Sequence, residues 1–160
     1  MKLLCAALFF SASYWMQVQG KGAAPKPQRV TQLCVRETIY LGQHRQYIIT
    51  SDSIKVHVAD LLVEGCADTA FARRISSQER DWLLSSMDKT YLSAIRPTYN
   101  RPSSIGHHAE YDVSLVKGRH TKATKVGNAK VGFFFSFCVR LNSLLPPAYH
   151  IAYPKTNFKH

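Results

Sequence analysis

The sequence predicts an α+β fold: an antiparallel sheet of about five strands with one helix, at about residues 77–95, packed on one face. In several segments apolar residues alternate with polar ones, which is the period of a half-buried strand. Between these segments the apolar residues recur every three or four positions, as in an amphipathic helix. The change from period two to period 3.6 and back therefore predicts a sheet covered by a helix.

The first twenty residues have the features of a cleavable signal peptide. Lys2 precedes a short apolar run over residues 3–10, which is too short to span a bilayer. Val18 and Gly20 are small enough for the positions before a signal peptidase cut, so cleavage is expected after Gly20. The protein is therefore expected to be secreted or periplasmic, with no transmembrane insertion of the mature chain.

The chain that follows the predicted signal peptide has the length of one domain. Residues 21–29 hold two prolines and no apolar anchor, so they predict a flexible leader. Residues 30–160 are then expected to form a single α+β domain, and no internal repeat divides them.

Three strands are predicted before the helix, at about residues 30–41, 46–50 and 54–63. In the first, Leu33, Val35 and Ile39 alternate with polar residues, and Glu37 is an exception to the pattern. A Ser-Asp-Ser turn separates the second strand from the third. Residues 64–74 are interpreted as a connection to the helix.

The helix has a clear start and a clear end. Ser76 followed by Glu79 is the spacing of a capping box, in which each side chain binds the other residue's backbone N–H. Leu84 and Met87 lie on the apolar face that follows. Pro97 ends the helix, because the residue before a proline is pushed out of helical geometry.

Two further strands are predicted after the helix, at about residues 107–117 and 129–141, joined by a cationic loop over residues 118–128. Apolar residues alternate through the second of these strands, which gives it the best candidate core face in the sequence. Three phenylalanines of that face are expected to pack against the helix: Phe133, Phe135 and Phe137 against Leu84, Met87 and Tyr91.

The strand at residues 107–117 has a row of polar side chains on one face. Side chains alternate across a strand, so Tyr111 and Val113 face the core while His108, Glu110 and Asp112 face solvent. This is the ordinary pattern of a half-exposed antiparallel strand. A metal site needs ligands that converge on one point, whereas these side chains follow one another along the strand. No metal or cofactor is therefore expected.

The same row could instead serve acid–base chemistry. A strand carboxylate, a histidine and a cationic loop would suit phosphodiester cleavage in RNA. Glu110 would then be the base, His108, His120 or His150 the acid, and Arg119 would stabilise the phosphorane. The alternative function is therefore that of a small secreted basic hydrolase, namely a ribonuclease.

The cysteines predict one disulfide. Three of them follow the signal peptide, Cys34, Cys66 and Cys138, and an exported chain meets an oxidising compartment. No two cysteines have the spacing of a zinc site. The pairing of Cys34 with Cys138 is favoured, since both are expected on the outer faces of their strands.

The charge of the chain is concentrated in its last third. There are 21 Lys and Arg against 10 Asp and Glu, and no acid follows Asp112. Such a field favours an anionic partner, or simply solubility. The predicted binding residues are the five cations of the segment from 117 to 130: Lys117, Arg119, Lys122, Lys125 and Lys130.

These observations favour a non-catalytic binding protein over an enzyme. The predicted function is that of an exported inhibitor, immunity-type partner or envelope accessory factor. It would contact an anionic macromolecule, either a protein or another polyanion, with nucleic acid possible, through a basic hairpin. Loops carry binding disproportionately, and the segment from 117 to 130 is the longest cationic loop predicted here.

Overall fold

The computed structural model describes residues 28–39, 43–60, 68–100, 110–127 and 129–153. They form an α+β fold with a seven-stranded mixed sheet and two helices. The predicted signal peptide and most of the predicted leader lie outside the described residues. None of the helices in the described ranges is long and apolar enough to cross a membrane.

The strands follow one another closely in the first half of the sheet. In chain order the elements are β1 Val30–Ile39, β2 Gln43–Ile49, β3 Ser53–Asp60, β4 Asp68–Arg74, α1 Ser77–Asp88, β5 Thr98–Tyr99, β6 Glu110–Lys117, β7 His120–Val126 and α2 Gly132–Leu144. The order across the sheet is β4-β3-β2-β1-β6-β7-β5. β5 runs parallel to β7, and the other neighbours are antiparallel. The sheet therefore joins a four-stranded meander to the β6–β7 hairpin through β1.

Both helices cover the same face of the sheet, and the core lies between them and the strands. The inward side chains of the central strands are fully buried there, including Leu33, Val35, Tyr47, Ile49, Val113 and Leu115. From the helices, Leu83, Leu84, Met87, Phe134, Phe137 and Leu141 complete the core. We call the opposite face of the sheet the outer face; within the described residues no helix packs on it.

The alternation predicted for the strand at 107–117 is confirmed for β6. Tyr111 and Val113 are buried, while Glu110 and Asp112 are exposed on the outer face. His108 lies outside the described residues. The burial of alternate residues is what the period-two pattern requires when one face is covered and the other is open.

The start of the predicted helix is confirmed, and its end is not. The Glu79 N–H donates to Ser76 Oγ at 3.1 Å and the Ser76 N–H donates to Glu79 Oε2 at 2.9 Å, which is the capping box. α1 ends at Asp88 rather than 95, and a short 3₁₀ turn follows at Leu92–Ala94. Tyr91 is consequently 46% exposed and is not a core residue.

The strand predicted at 129–141 is wrong, because this segment forms α2. Phe134, Phe137, Cys138 and Leu141 are its buried residues, at helical spacing. Phe133 and Phe135, expected in the core, are only partly buried. An apolar run this dense fits both periods, and aromatic residues favour strands, so the sequence pattern alone selects the wrong one.

Three strands of the sheet are absent from the prediction. The segment interpreted as a connection contains β4, and the predicted loop at 118–128 is mostly β7. The β6–β7 turn consists of Gly118 and Arg119 alone, because Lys117 pairs directly with His120. Gly118 has a positive φ of 57°, a backbone conformation that side chains disfavour and tight hairpins require. β5 is a third unpredicted strand of only two residues.

The favoured disulfide between Cys34 and Cys138 is also wrong, since both thiols are free. Cys34 lies on the outer face of β1, whereas Cys138 is buried in α2 on the helix side. The pairing was inferred from a strand at 129–141, and the helix places Cys138 beneath the sheet instead. Cys66 lies outside the described residues.

Candidate functional site

The five predicted binding cations do not form one loop, and Lys117 is not on the surface. Lys117 is 2% exposed. Its Nζ donates to the carbonyl oxygens of Met87 at 2.8 Å, Asp88 at 3.1 Å and Thr90 at 2.6 Å. Met87 and Asp88 are the last two residues of α1 and Thr90 follows the helix, so Lys117 supplies a positive charge at the negative end of α1. The expectation that Lys117 is exposed is therefore wrong.

The remaining cations lie on and around β7. Arg119 is exposed in the turn, and Lys125 is exposed on the outer face. Lys122 is half-buried on the helix side of the sheet, because it is an odd number of residues from Lys125. We call Arg119, Lys122, Lys125 and Lys130 the cationic edge. They lie on both faces of one strand and beyond its end, rather than in one flexible loop.

Little neutralises the cationic edge among the described residues. Lys125 Nζ lies 3.9 Å from Asp112 Oδ1, and both side chains are well exposed, so the pair contributes little to stability. Lys130 Nζ lies 5.1 Å from the centroid of the Phe135 ring, which is the geometry of a cation–π contact. Neither contact consumes the charge of the side chains, which stays available to a ligand.

β7 also has a free backbone edge in this part of the sheet. β5 pairs only with Lys125 and Val126, so residues 120–124 meet no strand on that side within the described ranges. Exposed lysines are a common means of blocking edge-to-edge aggregation. The cationic edge therefore has a structural use whether or not it binds a ligand.

The residues proposed for ribonuclease chemistry do not converge. Glu110 begins β6, whereas Arg119 and His120 lie at the other end of the same hairpin, about 20 Å away at roughly 3.3 Å per residue. His150 Nε2 lies 3.1 Å from the Leu145 carbonyl just beyond α2, on the helix side of the sheet. His108 lies outside the described residues. Glu110 therefore has neither Arg119 nor His120 as a partner.

Glu110 does share a small pocket of about 60 Å³ with Asp112 and Lys125. The pocket has the carboxylates and one cation but no histidine from the described part of the chain. In the same residues no group of three or more His, Cys, Asp or Glu side chains could hold a metal ion. The arrangement supports an ion pair more than an acid–base pair.

A buried carboxylate on the helix side was noticed in the sequence only as an irregularity. Glu37 is fully buried, and it interrupts the apolar pattern of β1 at a core position. The Tyr47 hydroxyl donates to its Oε2 at 2.9 Å, and the Ala152 N–H donates to its Oε1 at 2.9 Å. Both carboxylate oxygens are thus bound by protein groups, which indicates a structural role: Glu37 joins β1 to the segment after α2.

A groove on the outer face had no signal in the sequence. It has a volume of about 480 Å³ and crosses β1, β6 and β7. Its floor contains Cys34, Ser114 and Ala123. Cys34 and Ser114 are 80 positions apart in the chain, and Ser114 and Ala123 are nine apart, so they become neighbours only through strand pairing. A sequence pattern could have found the groove only if the pairing of β1 with β6 were already known.

Comparison with protein families and with curated proteins does not assign a function to the chain. No protein-family model matches the chain, and no curated protein matches it either. The charge, exposure and shape of the described surfaces are therefore the basis for assigning a function.

Proposed function

We propose that the protein is an exported, non-catalytic binding protein that contacts an anionic macromolecule through its cationic edge. One observation carries the proposal: four cations lie within twelve residues, and the only acid in ion-pair contact with any of them is Asp112, among the residues described. Three of these side chains are exposed and Lys122 is half-buried. The net charge of +11 adds a long-range attraction of the same sign.

The position of the cations also supports a partner that is large. They follow the edge of β7 over both faces, so a small anion could reach only one or two of them at once. An extended anionic surface can contact the turn and the strand together. Binding of this kind depends mainly on electrostatic steering, and it weakens with salt over a Debye length of about 8 Å at physiological ionic strength.

Charge reversal at the turn tests the proposal. We expect the double change Arg119→Glu and Lys122→Glu to lower the affinity for fluorescein-labelled heparin at low salt, and to change it little at high salt. The double change Lys55→Glu and Arg74→Glu is the control, because it alters the net charge equally on the far strands β3 and β4. Both variants change exposed or half-exposed side chains, so stability should move by less than about 0.5 kcal/mol.

The two variants separate a site from a general charge effect. If the control lowers heparin affinity as much as the turn variant, binding follows net charge alone and the cationic edge is not a site. If neither variant lowers the affinity at low salt, the cations act only as protection of the strand edge.

The ribonuclease alternative has its own test. It requires that the purified protein cleave RNA and that Glu110→Gln abolish cleavage without unfolding the protein. Asp112→Asn, on the same face of β6, is the matched control. We expect no cleavage by the wild-type protein, since Glu110 lies at the opposite end of the hairpin from Arg119 and His120. Cleavage that is lost only in Glu110→Gln would contradict the binding proposal.

A further inference from the structure

The groove on the outer face has the size of a small-molecule site. Its volume of about 480 Å³ lies within the range of roughly 300–1,000 Å³ that ligand pockets occupy. It crosses three neighbouring strands and reaches Pro97 and Thr98, at the start of β5. Because neighbouring strands are about 4.8 Å apart, the distance from β1 to β7 is about 10 Å.

The floor of the groove is made by small side chains that the pairing brings into line. Cys34 on β1 is directly opposite Ser114 on β6, and Ser114 is directly opposite Ala123 on β7. Cys34 and Ser114 are half-buried and Ala123 is exposed. Short side chains at three adjacent positions leave a depression, with a thiol and a methyl group as its apolar contacts.

A charged row borders this floor two residues along each strand. Arg36 pairs with Asp112, and Asp112 pairs with Lys125. Lys125 lies 3.9 Å from the Asp112 carboxylate, so the row of two cations and one anion has a net charge of +1. The Arg36 side chain is exposed and has no ion pair or hydrogen bond with any described residue. The row therefore has one uncompensated positive charge, at the β1 end of the groove.

We propose that the groove binds a small organic anion with an apolar body. The acid group binds the guanidinium of Arg36, which can hold a carboxylate, sulfonate or phosphate with two parallel hydrogen bonds. The body extends about 10 Å along the floor over Cys34, Ser114 and Ala123 toward Pro97. Lys125 is common to both proposals, since it belongs to the cationic edge and also lines the groove. Arg119 and Lys122 do not line the groove, so the charge reversal at these two residues tests the cationic edge without altering it.

Cys34 provides a direct readout of occupancy. Its thiol accepts a hydrogen bond from Gln46 Nε2 at 3.2 Å, and the residue is half-buried. Cys138 is fully buried and provides an internal comparison. Alkylation by neutral iodoacetamide, followed at each cysteine peptide by mass spectrometry, measures how much of the groove is free.

Decanoate is the probe, with decylammonium, decanol and acetate as its matched controls. At a decanoate concentration ten times its Kd, we expect Cys34 to be alkylated about elevenfold more slowly, because only the free protein reacts. Decylammonium and decanol lack the acid group, so they test whether binding requires it. Acetate lacks the long apolar chain, so it tests whether binding requires the apolar body. If decanoate does not slow the alkylation of Cys34, or if decylammonium slows it equally, the proposal fails.

Two substitutions locate the site. Ala123→Trp fills the floor and should abolish the protection of Cys34 by decanoate, whereas Ala72→Trp, exposed on the outer face of β4, should leave it unchanged. Arg36→Gln, at an exposed position, should weaken decanoate binding at least tenfold and leave the weaker binding of decanol unchanged. Equal loss in Ala72→Trp and Ala123→Trp, or no loss in Arg36→Gln, would overturn the proposal whether or not the cationic edge binds heparin.

Discussion

The protein should unfold cooperatively as the pH rises above about 10. Tyr47, Tyr111 and Tyr153 are almost completely buried. Burial raises the pKa of each hydroxyl above its ordinary value of 10.0, and the neighbouring Glu37 raises the pKa of Tyr47 and Tyr111 further. Burial, and then Glu37, also raises the pKa of the Cys138 thiol. The folded state therefore holds these protons at a pH where the unfolded chain has lost them.

The direction of the effect follows from which state binds more protons. A raised pKa in the folded state contributes stability that is complete below the unfolded pKa and is lost as the pH rises above it. Each tyrosine removes about 1.4 kcal/mol per pH unit above pH 10, so three remove about 4 kcal/mol per unit. Burial lowers the pKa of Lys117, which has the opposite effect, but this is one group against four. Domains of this size have about 5–15 kcal/mol of stability, so two or three pH units are enough.

Circular dichroism and tyrosinate absorbance, recorded together against pH, measure this effect. We expect the last part of the tyrosinate signal to rise in the same transition that removes the secondary structure. Tyr111→Phe should reduce the slope of stability against pH by about 1.4 kcal/mol per unit, and Tyr91→Phe, which is exposed, should not change it. Complete tyrosine titration with intact secondary structure would contradict the burial of these hydroxyls.

Lys117→Met should be the most destabilising change among the cations of the β6–β7 hairpin. The three hydrogens of its ammonium group have three carbonyl partners, and α1 has no basic residue of its own in its last turn. Methionine keeps the apolar stem but removes the Lys117 donor from the Asp88 and Thr90 carbonyls, while the Met87 carbonyl keeps the Thr90 N–H at 3.1 Å. Each unsatisfied buried polar group costs about 1–3 kcal/mol, so a loss of about 3 kcal/mol is expected in total.

Lys122→Met is the control for Lys117→Met, since it removes the same charge from a half-buried position on the same hairpin. Its free energy of unfolding should change by less than about 0.5 kcal/mol. Urea denaturation of both variants gives the comparison. Equal effects of the two substitutions would mean that water can replace the Lys117 ammonium as the donor to these carbonyls with no loss of stability. The stability of α1 would then not depend on Lys117.

Local patterns predicted the parts of this fold that local physics determines. The capping box of Ser76 and Glu79 needs only four residues, and the exposed row on β6 needs only alternation, so both are correct. α2 differs because Phe134, Phe137 and Cys138 fit a helix only once a sheet lies beneath them. Tertiary packing then outweighs the strand propensity of the aromatic residues.

The candidate sites depended even more on long-range pairing. Five cations close in sequence predicted one basic surface, but strand alternation separates Lys122 from Lys125 and buries Lys117. Conversely, Cys34 and Ser114 gave no common signal and lie side by side on the floor of the groove. The cationic edge could be predicted in part, because the charges can be read from the sequence. The groove could not, because it depends on which residues of β1, β6 and β7 are paired with one another.

The position of β1 at the centre of the sheet has a consequence for how the chain folds. β1 pairs with β2, β2 with β3 and β6 with β7, and each of these pairs consists of strands that are consecutive in the chain, whereas Val35 of β1 pairs with Val113 of β6 across 78 positions of the sequence. Closing a loop of that length is slow, so the β1–β4 meander and the β6–β7 hairpin can form before β1 pairs with β6. Until then each presents an unpaired strand edge, β1 on one side and β6 on the other. We therefore expect these two edges to be the places where partly folded chains aggregate.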